Sequence, residues 1–350
     1  TASWRSSMAG RVSEGQNGNP GWGANMKIRS SLVCLLLLGA AAGTVDWSAE
    51  GKHWWAHVQY LADDKLEGRE TGSEGHRKAA AYVEDRFREY SLKPAGTAGY
   101  LQPVRFDVRQ IDEEHSSIEL FENRKYVPLK LGEDLSVSLR TNPPARLEAP
   151  AVFVGYALSI PEAHYDDFAG LDLTGKIAVH LAGGPSSVPG PLRAHYSSGS
   201  ERWKALERAG AAGLVVIQNP KFMDIPWSRA SLARFQASMG LADRNLKEAP
   251  DQKLSLTLNP ERADRWIRSS GDHTLTELLA LADAGKPLPR FNLGVKLRAK
   301  ITVKRWQVES QNVVGVLPGS DAKLKNEYVA VSAHLRACRS TGWFASSDGA

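Results

Sequence analysis

Nine histidines and two cysteines are the side chains in these 350 residues most able to hold a metal or act as a nucleophile. His334 stands out by position. It follows Ser332-Ala333 at the end of the apolar run 327–333, which reads as a strand. Ligands bind at the carboxyl ends of strands in an open α/β sheet, so His334 is the candidate ligand. His53 and His57 stand four apart and share a helix face, but no acidic partner motif accompanies them. The other histidines have no ligand-like spacing. Cys34 and Cys338 lie in the two end segments, so residues 43–335 offer neither a thiolate metal site nor a disulfide framework.

Two further clusters have the look of chemistry. Asp166, Asp167 and Asp172 resemble a calcium loop, although loop capping and solvation are the simpler reading of such a group. Gly68, Gly72 and Gly75 punctuate a loop that enters a helix, with Thr71 or Ser73 able to cap it. A glycine-rich loop at a helix start can cradle an anion. The simpler reading is a turn that packs on the domain, with Glu67 and Arg69 as a structural ion pair.

The elements that must position these residues fall into two kinds. Residues 48–62 have helical spacing, with Trp54, Val58 and Leu61 on one stripe. A second helix runs from Ser73 to Tyr90, with Ala79, Ala80, Val83 and Phe87 facing inward. Segments 99–109, 116–122 and 125–131 suit antiparallel strands, and Asn142-Pro-Pro144 punctuates the chain. A different unit begins near 150. Segments 152–156 and 176–181 read as strands and 200–210 as a helix. Gly213-Leu-Val-Val-Ile217 is a continuous apolar run, typical of a strand buried on both faces. Helices are expected at 261–270 and 273–284, and strands at 292–305, 312–317 and 327–333.

Composition narrows the function. Apolar residues make up 42% and charged residues 24%, which excludes a disordered, collagen-like or polytopic membrane protein. The net charge of +5 invites a nucleic-acid reading, but residues 1–42 carry +3 of it and residues 336–350 carry +1. The body, 43–335, is near neutral, so no footprint for a polyanion remains. Met26-Lys-Ile-Arg29, the apolar stretch Ser31–Gly39 and the small residues Ala40–Ala42 have the layout of a secretory signal peptide. The apolar run is far below the roughly 20 residues of a membrane span. Export to the periplasm or the extracellular space is expected, with a mature chain from about Gly43 and a structureless leader over 1–25.

Four blocks, in order, carry a family resemblance. Leu61-Ala-Asp-Asp-Lys-Leu-Glu-Gly-Arg69, Thr71-Gly-Ser73, the Ala79–Phe87 helix, Leu92-Lys-Pro-Ala-Gly96 and Gly99-Tyr-Leu-Gln102 together look like the N-terminal signature of the M28 family of zinc-dependent aminopeptidases. Val152–Tyr156, Tyr165–Ile177 and Gly210–Ile217 resemble the protease-associated (PA) domain that many of these enzymes carry as an insertion. Asn312-Val-Val-Gly-Val-Leu-Pro-Gly-Ser320 and Glu327-Tyr-Val-Ala-Val-Ser-Ala-His334 resemble the return to the catalytic domain. The family usually has Gly where this chain has Ser91.

The resemblance implies an α/β fold: a truncated M28-type α/β/α peptidase domain with an inserted PA-type α/β domain. The expected organisation is a leader (1–25), a signal peptide (26–42), the first part of the peptidase domain (43–134), the PA insertion (135–295), the return to the peptidase domain (296–335) and an aberrant tail (336–350). It also implies peptide or protein substrates and two zinc ions in the intact enzyme. These would hold a shared hydroxide beside a carboxylate base, with His334 as one zinc ligand.

After the histidine, however, the family pattern breaks. Arg336 stands where the family has Asp, and the bridging Asp, the Glu-Glu pair and the later Asp and His ligands have no counterpart. A shift of reading frame after Leu335 accounts for the break. Catalytic zinc takes three protein ligands and a water, so a chain with His334 alone is expected to hold no zinc and to carry no catalytic residue. The alternative is a non-catalytic PA-type module that binds protein or peptide. No nucleic acid and no stable membrane span are expected in either case.

Overall fold

The computed structural model describes residues 46–247 and 253–335. The expected leader, signal peptide and tail lie outside the described residues. The described residues up to Ala62 and those from Asp63 onward belong to two compact units. The described part of the first is helix α1 (Trp47–Leu61), which starts where Asp46 accepts hydrogen bonds from the Ser48 and Ala49 amides. Such an N-cap satisfies amides that have no partner inside the helix. Among the described residues no helix is long and apolar enough to cross a membrane.

The second unit opens with short 3-10 turns over Asp64–Arg69, kinked where Glu67, Gly68 and Arg69 have φ of 48°, 74° and 51°. Helix α2 (Glu74–Glu89) follows, capped by Ser73, whose Oγ accepts from the His76 amide at 3.1 Å. Glu74 in its first turn and Arg86 and Arg88 in its last complement the helix dipole. Gly75, His76, Ala79 and Ala80 form its buried face.

Next come β1 (Lys93–Pro94), β2 (Leu101–Ile111), β3 (Ser117–Glu122), β4 (Lys125–Leu129), β5 (Leu135–Val137), β6 (Arg146–Val154), β7 (Ser159–Ile160), β8 (Tyr165–Asp166) and β9 (Ile177–Leu181). The chain continues through helices α3 (Gly190–Tyr196) and α4 (Gly199–Arg208), strand β10 (Gly213–Ile217), the single turn α5 (Trp227–Ala230), and strands β11 (Ser238–Leu241) and β12 (Leu254–Leu258). Helices α6 (Pro260–Arg268) and α7 (Leu275–Asp283) precede β13 (Arg290–Lys300), β14 (Val303–Val313) and β15 (Gly315–Val316).

The fold is mixed α/β. Its main sheet has eight strands in the order β4-β3-β13-β6-β9-β10-β12-β5. The central four, β6, β9, β10 and β12, are parallel, and antiparallel strands flank them. Side chains alternate across these strands. Val179, Leu181, Val215, Ile217, Leu256 and Leu258 face a core built with Trp266, Ile267, Leu275 and Leu278 of α6 and α7. On the other face Val152, Val154, Ala178 and Leu214 meet Trp203 and Leu206 of α4. A second sheet, in the order β11-β2-β14, and the two-stranded β1-β15 pair complete the topology outside the small β7-β8 hairpin.

The expected boundaries at 135 and 295 fall within strands of the main sheet, β5 and β13. The chain instead enters and leaves this sheet through one neck. Ile111 pairs with Val303, the Asp112 amide donates to the Thr302 carbonyl at 2.9 Å, and the Thr302 amide donates to Ser116 Oγ at 2.9 Å. The segment 292–305, expected as one strand, is two strands in different sheets, turned at Ile301-Thr302. Its apolar alternation runs straight through the turn, which is why the sequence hides the change of sheet.

Candidate functional site

The two outer blocks of the sequence, before and after the α/β sheet, are joined by backbone pairing. Lys93 pairs with Val316 and Pro94 with Gly315. The Val314 amide donates to the Tyr100 carbonyl at 2.7 Å, and the Ala95 amide donates to the Val314 carbonyl at 3.1 Å. Close contacts exclude side chains here. A Cβ on Gly315 would lie 2.8 Å from the Phe87 ring, and one on Gly72 would lie 2.0 Å from Val308 Cγ1. His76, buried in the first turn of α2, has Nδ1 3.3 Å from Ser310 Oγ of β14. Burial, with Arg69 and Arg77 nearby, holds its pKa below the usual histidine value. The glycine-rich loop is thus a packing device. Arg69 donates from Nε to the Leu335 carbonyl at 2.8 Å.

His334 is exposed. The strand expected over 327–333, with His334 at its end, does not form: residues 317–335 contain no helix or strand, and Val329 and Val331 are 95% and 94% exposed. An extended segment needs a neighbour for its amides and carbonyls, and no strand among the described residues lies beside this one. Among the described residues no three His, Cys, Asp or Glu side chains come together as metal ligands. Among the described residues His334 has no companion ligand with which to hold zinc.

Asp166, Asp167 and Asp172 cap turns. Asp166 accepts from the Phe168 amide and Asp172 from the Thr174 amide, each at 2.9 Å. Asp167 is buried. Its Oδ2 accepts from the Tyr156 and Leu158 amides at 3.0 Å each, and its Oδ1 accepts from the Tyr165 hydroxyl at 2.6 Å. It closes a strained turn in which Gly155 and Ala157 have φ of 64° and 56°. Burial pushes its carboxyl up to about 6, with the three hydrogen bonds pulling the other way.

A cavity of about 860 Å³ opens on the α4 side of the main sheet. His180, Leu214, Val216 and Ser255, from three adjacent parallel strands, line it. Val216 pairs with His180, and Leu214 with Ser255. The loops that continue β9 and β10, Ala182-Gly183-Gly184 and Gln218-Asn219, also line it, as do Arg193, Arg202 and the segment 138–141. His180 is 1% exposed. Its Nδ1 donates to the Leu181 carbonyl at 3.0 Å, which leaves Nε2 as an acceptor. Burial, with Arg202 nearby, keeps the ring neutral by holding its pKa well below the usual value. Neither His180 nor Arg202 stands out by motif. The signal in the sequence is a single polar residue inside the apolar strand Ile177-Ala-Val-His-Leu181.

No protein-family model matches the chain, and no curated protein sequence does. Among solved structures it is similar to the aminopeptidase from Aneurinibacillus sp. strain AM-1, at 17% identity over 77% of this chain and 48% of that one, with a TM-score of 0.40. It is also similar to BSAP, a zinc aminopeptidase from Bacillus subtilis, at 16% identity over 77% of this chain and 47% of that one, with a TM-score of 0.32. The chain spans about half the length of these structures.

Proposed function

We propose that this chain is the leading part of an exported zinc aminopeptidase of the M28 type, whose peptidase unit is interrupted by a PA-like α/β unit. The pairing of Lys93-Pro94 with Gly315-Val316 carries this reading. The blocks that resemble the peptidase on either side of the α/β unit meet as neighbouring strands, as they must if one domain is interrupted by another. The neck at Ile111/Val303 gives the interruption a single entrance and exit. In this reading Arg69 anchors the backbone beside His334 by holding the Leu335 carbonyl.

When bound, zinc would supply Lewis-acid activation of water and of the scissile carbonyl. Among the described residues His334 has no companion ligand, and the sequence has Arg336 where the family has a carboxylate.

The test compares this chain with a form whose reading frame is shifted after the Leu335 codon, by zinc stoichiometry and by hydrolysis of aminoacyl-nitroanilides. The present chain should bind zinc weakly and turn over nothing. The shifted form should bind zinc and release N-terminal residues, and His334→Ala in that form should abolish most of the activity. Turnover by the 350-residue chain would show the ligand assignment to be wrong. A shifted form that neither binds zinc nor hydrolyses would favour the PA-type binding module.

A further inference from the structure

We propose that the cavity on the α4 side of the main sheet binds a small organic oxyanion, a carboxylate or a phosphate monoester, through Arg202, Arg193 and Arg140. The proposal concerns the α/β unit alone and does not depend on the aminopeptidase reading.

Charge is the first argument. Arg140, Arg193, Arg202 and Lys221 line the cavity, and Asp283 is the one carboxylate among the lining residues. Asp283 is already matched, with Lys221 Nζ 2.9 Å from its Oδ1. Among the described residues, then, no lining carboxylate is left to balance the three arginines.

Arg202 is the second. Its Nε is buried without a hydrogen-bond partner, and no carboxylate of a described residue touches its guanidinium. Two other arginines, Arg86 and Arg234, also have an unbonded buried Nε, but they have ion-pair partners in Glu89 and Glu113. Burial pulls Arg202 down to about 10, against a weaker pull from Asp167. Taking a guanidinium out of water without a counter-charge is costly. An oxyanion supplies that charge and matches the planar donor fork.

Shape is the third. The cavity lies at the carboxyl ends of β9 and β10, where parallel sheets bind ligands. Its volume, about 860 Å³, is within the roughly 300–1,000 Å³ of small-molecule sites. Arg193 is held in place beforehand: its Nη1 donates to the Pro185 carbonyl at 3.2 Å. Its stem lies where a Cβ on Gly184 would be, with Cδ 2.9 Å from that point. Ser138, Ser255 and the neutral His180, which also line the cavity, offer hydroxyl groups and an acceptor nitrogen to the body of a hydroxylated molecule.

The experiment follows thermal unfolding and calorimetric titration of the full chain with inorganic phosphate, glucose 6-phosphate and succinate. Glucose and sodium chloride at matched ionic strength are the controls. A saturable stabilisation by at least one oxyanion and by neither control is expected. Arg202→Met and Arg193→Met should each weaken it roughly tenfold or more, the effect of losing one charge-assisted hydrogen bond. Lys304→Met, outside the cavity, should leave it unchanged. If Arg202→Met fails to fold, Arg193→Met and Arg140→Met decide. A response to the phosphates alone selects the monoester, and a response to succinate alone selects the carboxylate. No saturable response to any oxyanion, or an undiminished response in the arginine variants, would overturn the proposal.

Discussion

The Nε of Arg69 donates to the carbonyl of Leu335 at 2.8 Å, across 266 residues of chain. Both ends of that bond are unusual. Arg69 is the third of three consecutive residues with positive φ, a conformation that costs a non-glycine residue about 1–2 kcal/mol. Leu335 is half-buried, whereas residues 327–334 before it are exposed. The strained turn thus projects one arginine to the far end of a segment that has no ladder of its own. Together with the His76–Ser310 contact, it ties the start of this unit to its last described residues.

The tightest contact around that turn reverses the usual effect of alanine in a helix. Ala is normally better than Gly there by about 1 kcal/mol. At Gly75 in α2 a Cβ would lie 1.8 Å from the Leu66 carbonyl oxygen, so backbone must move. Gly75→Ala should destabilise the protein by about 1–3 kcal/mol, as overpacking does. At Gly51 in α1 nothing lies within 4 Å of a Cβ, and Gly51→Ala should raise helix stability by up to about 1 kcal/mol. Urea unfolding of both variants checks the sign. Equal effects would contradict the close approach at Leu66.

Helix α2 ends in a Schellman motif. The Ser91 amide donates to the Arg88 carbonyl and the Leu92 amide to the Phe87 carbonyl, each at 3.0 Å. Ser91 occupies the left-handed position, with φ of 57°, which glycine takes at little cost. Ser91→Gly should therefore stabilise the protein by up to about 1 kcal/mol, even though glycine also loosens the unfolded chain. Denaturant midpoints measure it. A loss of stability would mean that the Ser91 side chain contributes something the backbone geometry does not reveal.

Local chemistry was legible and long-range pairing was not. Thr71 or Ser73 before the Ala79–Phe87 stripe marks the start of α2, and the structure selects Ser73 as the cap; cap and stripe are legible because each depends on neighbours within a turn. The run Gly213–Ile217 announced a central strand. The failures share one cause: they depend on partners distant in sequence. The apolar segment 327–333 has strand composition, but no strand among the described residues lies beside it. Strands β3 and β4 read the same whether they belong to the outer blocks or to the main sheet. The pairing of β13 with β3 and β6 assigns them to the latter. His334 is a candidate by strand position and by resemblance, whereas the cavity around His180 and Arg202 has no local signature, since three strands and three helices contribute to it.

Strand β10 makes that difference measurable. The sequence shows four apolar residues in a row, but Val215 is 1% exposed in the core, whereas Val216 is half-buried and lines the cavity. Val215→Asp would bury a carboxylate among hydrocarbon and should cost several kcal/mol, about 4 or more, enough to unfold a marginal domain. Val216→Asp faces the cavity, close to the lining arginines, and should cost clearly less. Soluble yield and thermal unfolding of the two variants compare them. Equal destabilisation would show that the cavity does not reach Val216.

Asp167 offers a pH test with a defined direction. Burial pushes its carboxyl up to about 6 in the folded protein, against an ordinary value of about 4 in the unfolded chain. A group with a raised folded pKa contributes fully below its unfolded value and loses that contribution as pH rises through the folded value. The window is therefore about pH 4 to 6, and a shift of about two units corresponds to ~3 kcal/mol. His76 and His180, both held below the usual value, act in the opposite direction, losing stability as pH falls through about 6.5. A single profile would blur the effects, but a variant separates them. In Asp167→Asn the amide oxygen can accept the Tyr156 and Leu158 amides, and the amide nitrogen can donate to the Tyr165 hydroxyl, without a charge to bury. Relative to the wild type, this variant should gain about 3 kcal/mol between pH 4 and pH 7, with the histidine contributions cancelling. Asp167→Ala leaves three donors unmatched and should lose stability at every pH, by about 1–3 kcal/mol for each group left buried. Chemical denaturation at several pH values resolves the two. A wild-type-minus-Asn difference that stays flat from pH 4 to 7 would mean that Asp167 titrates normally and that its turn is open to water.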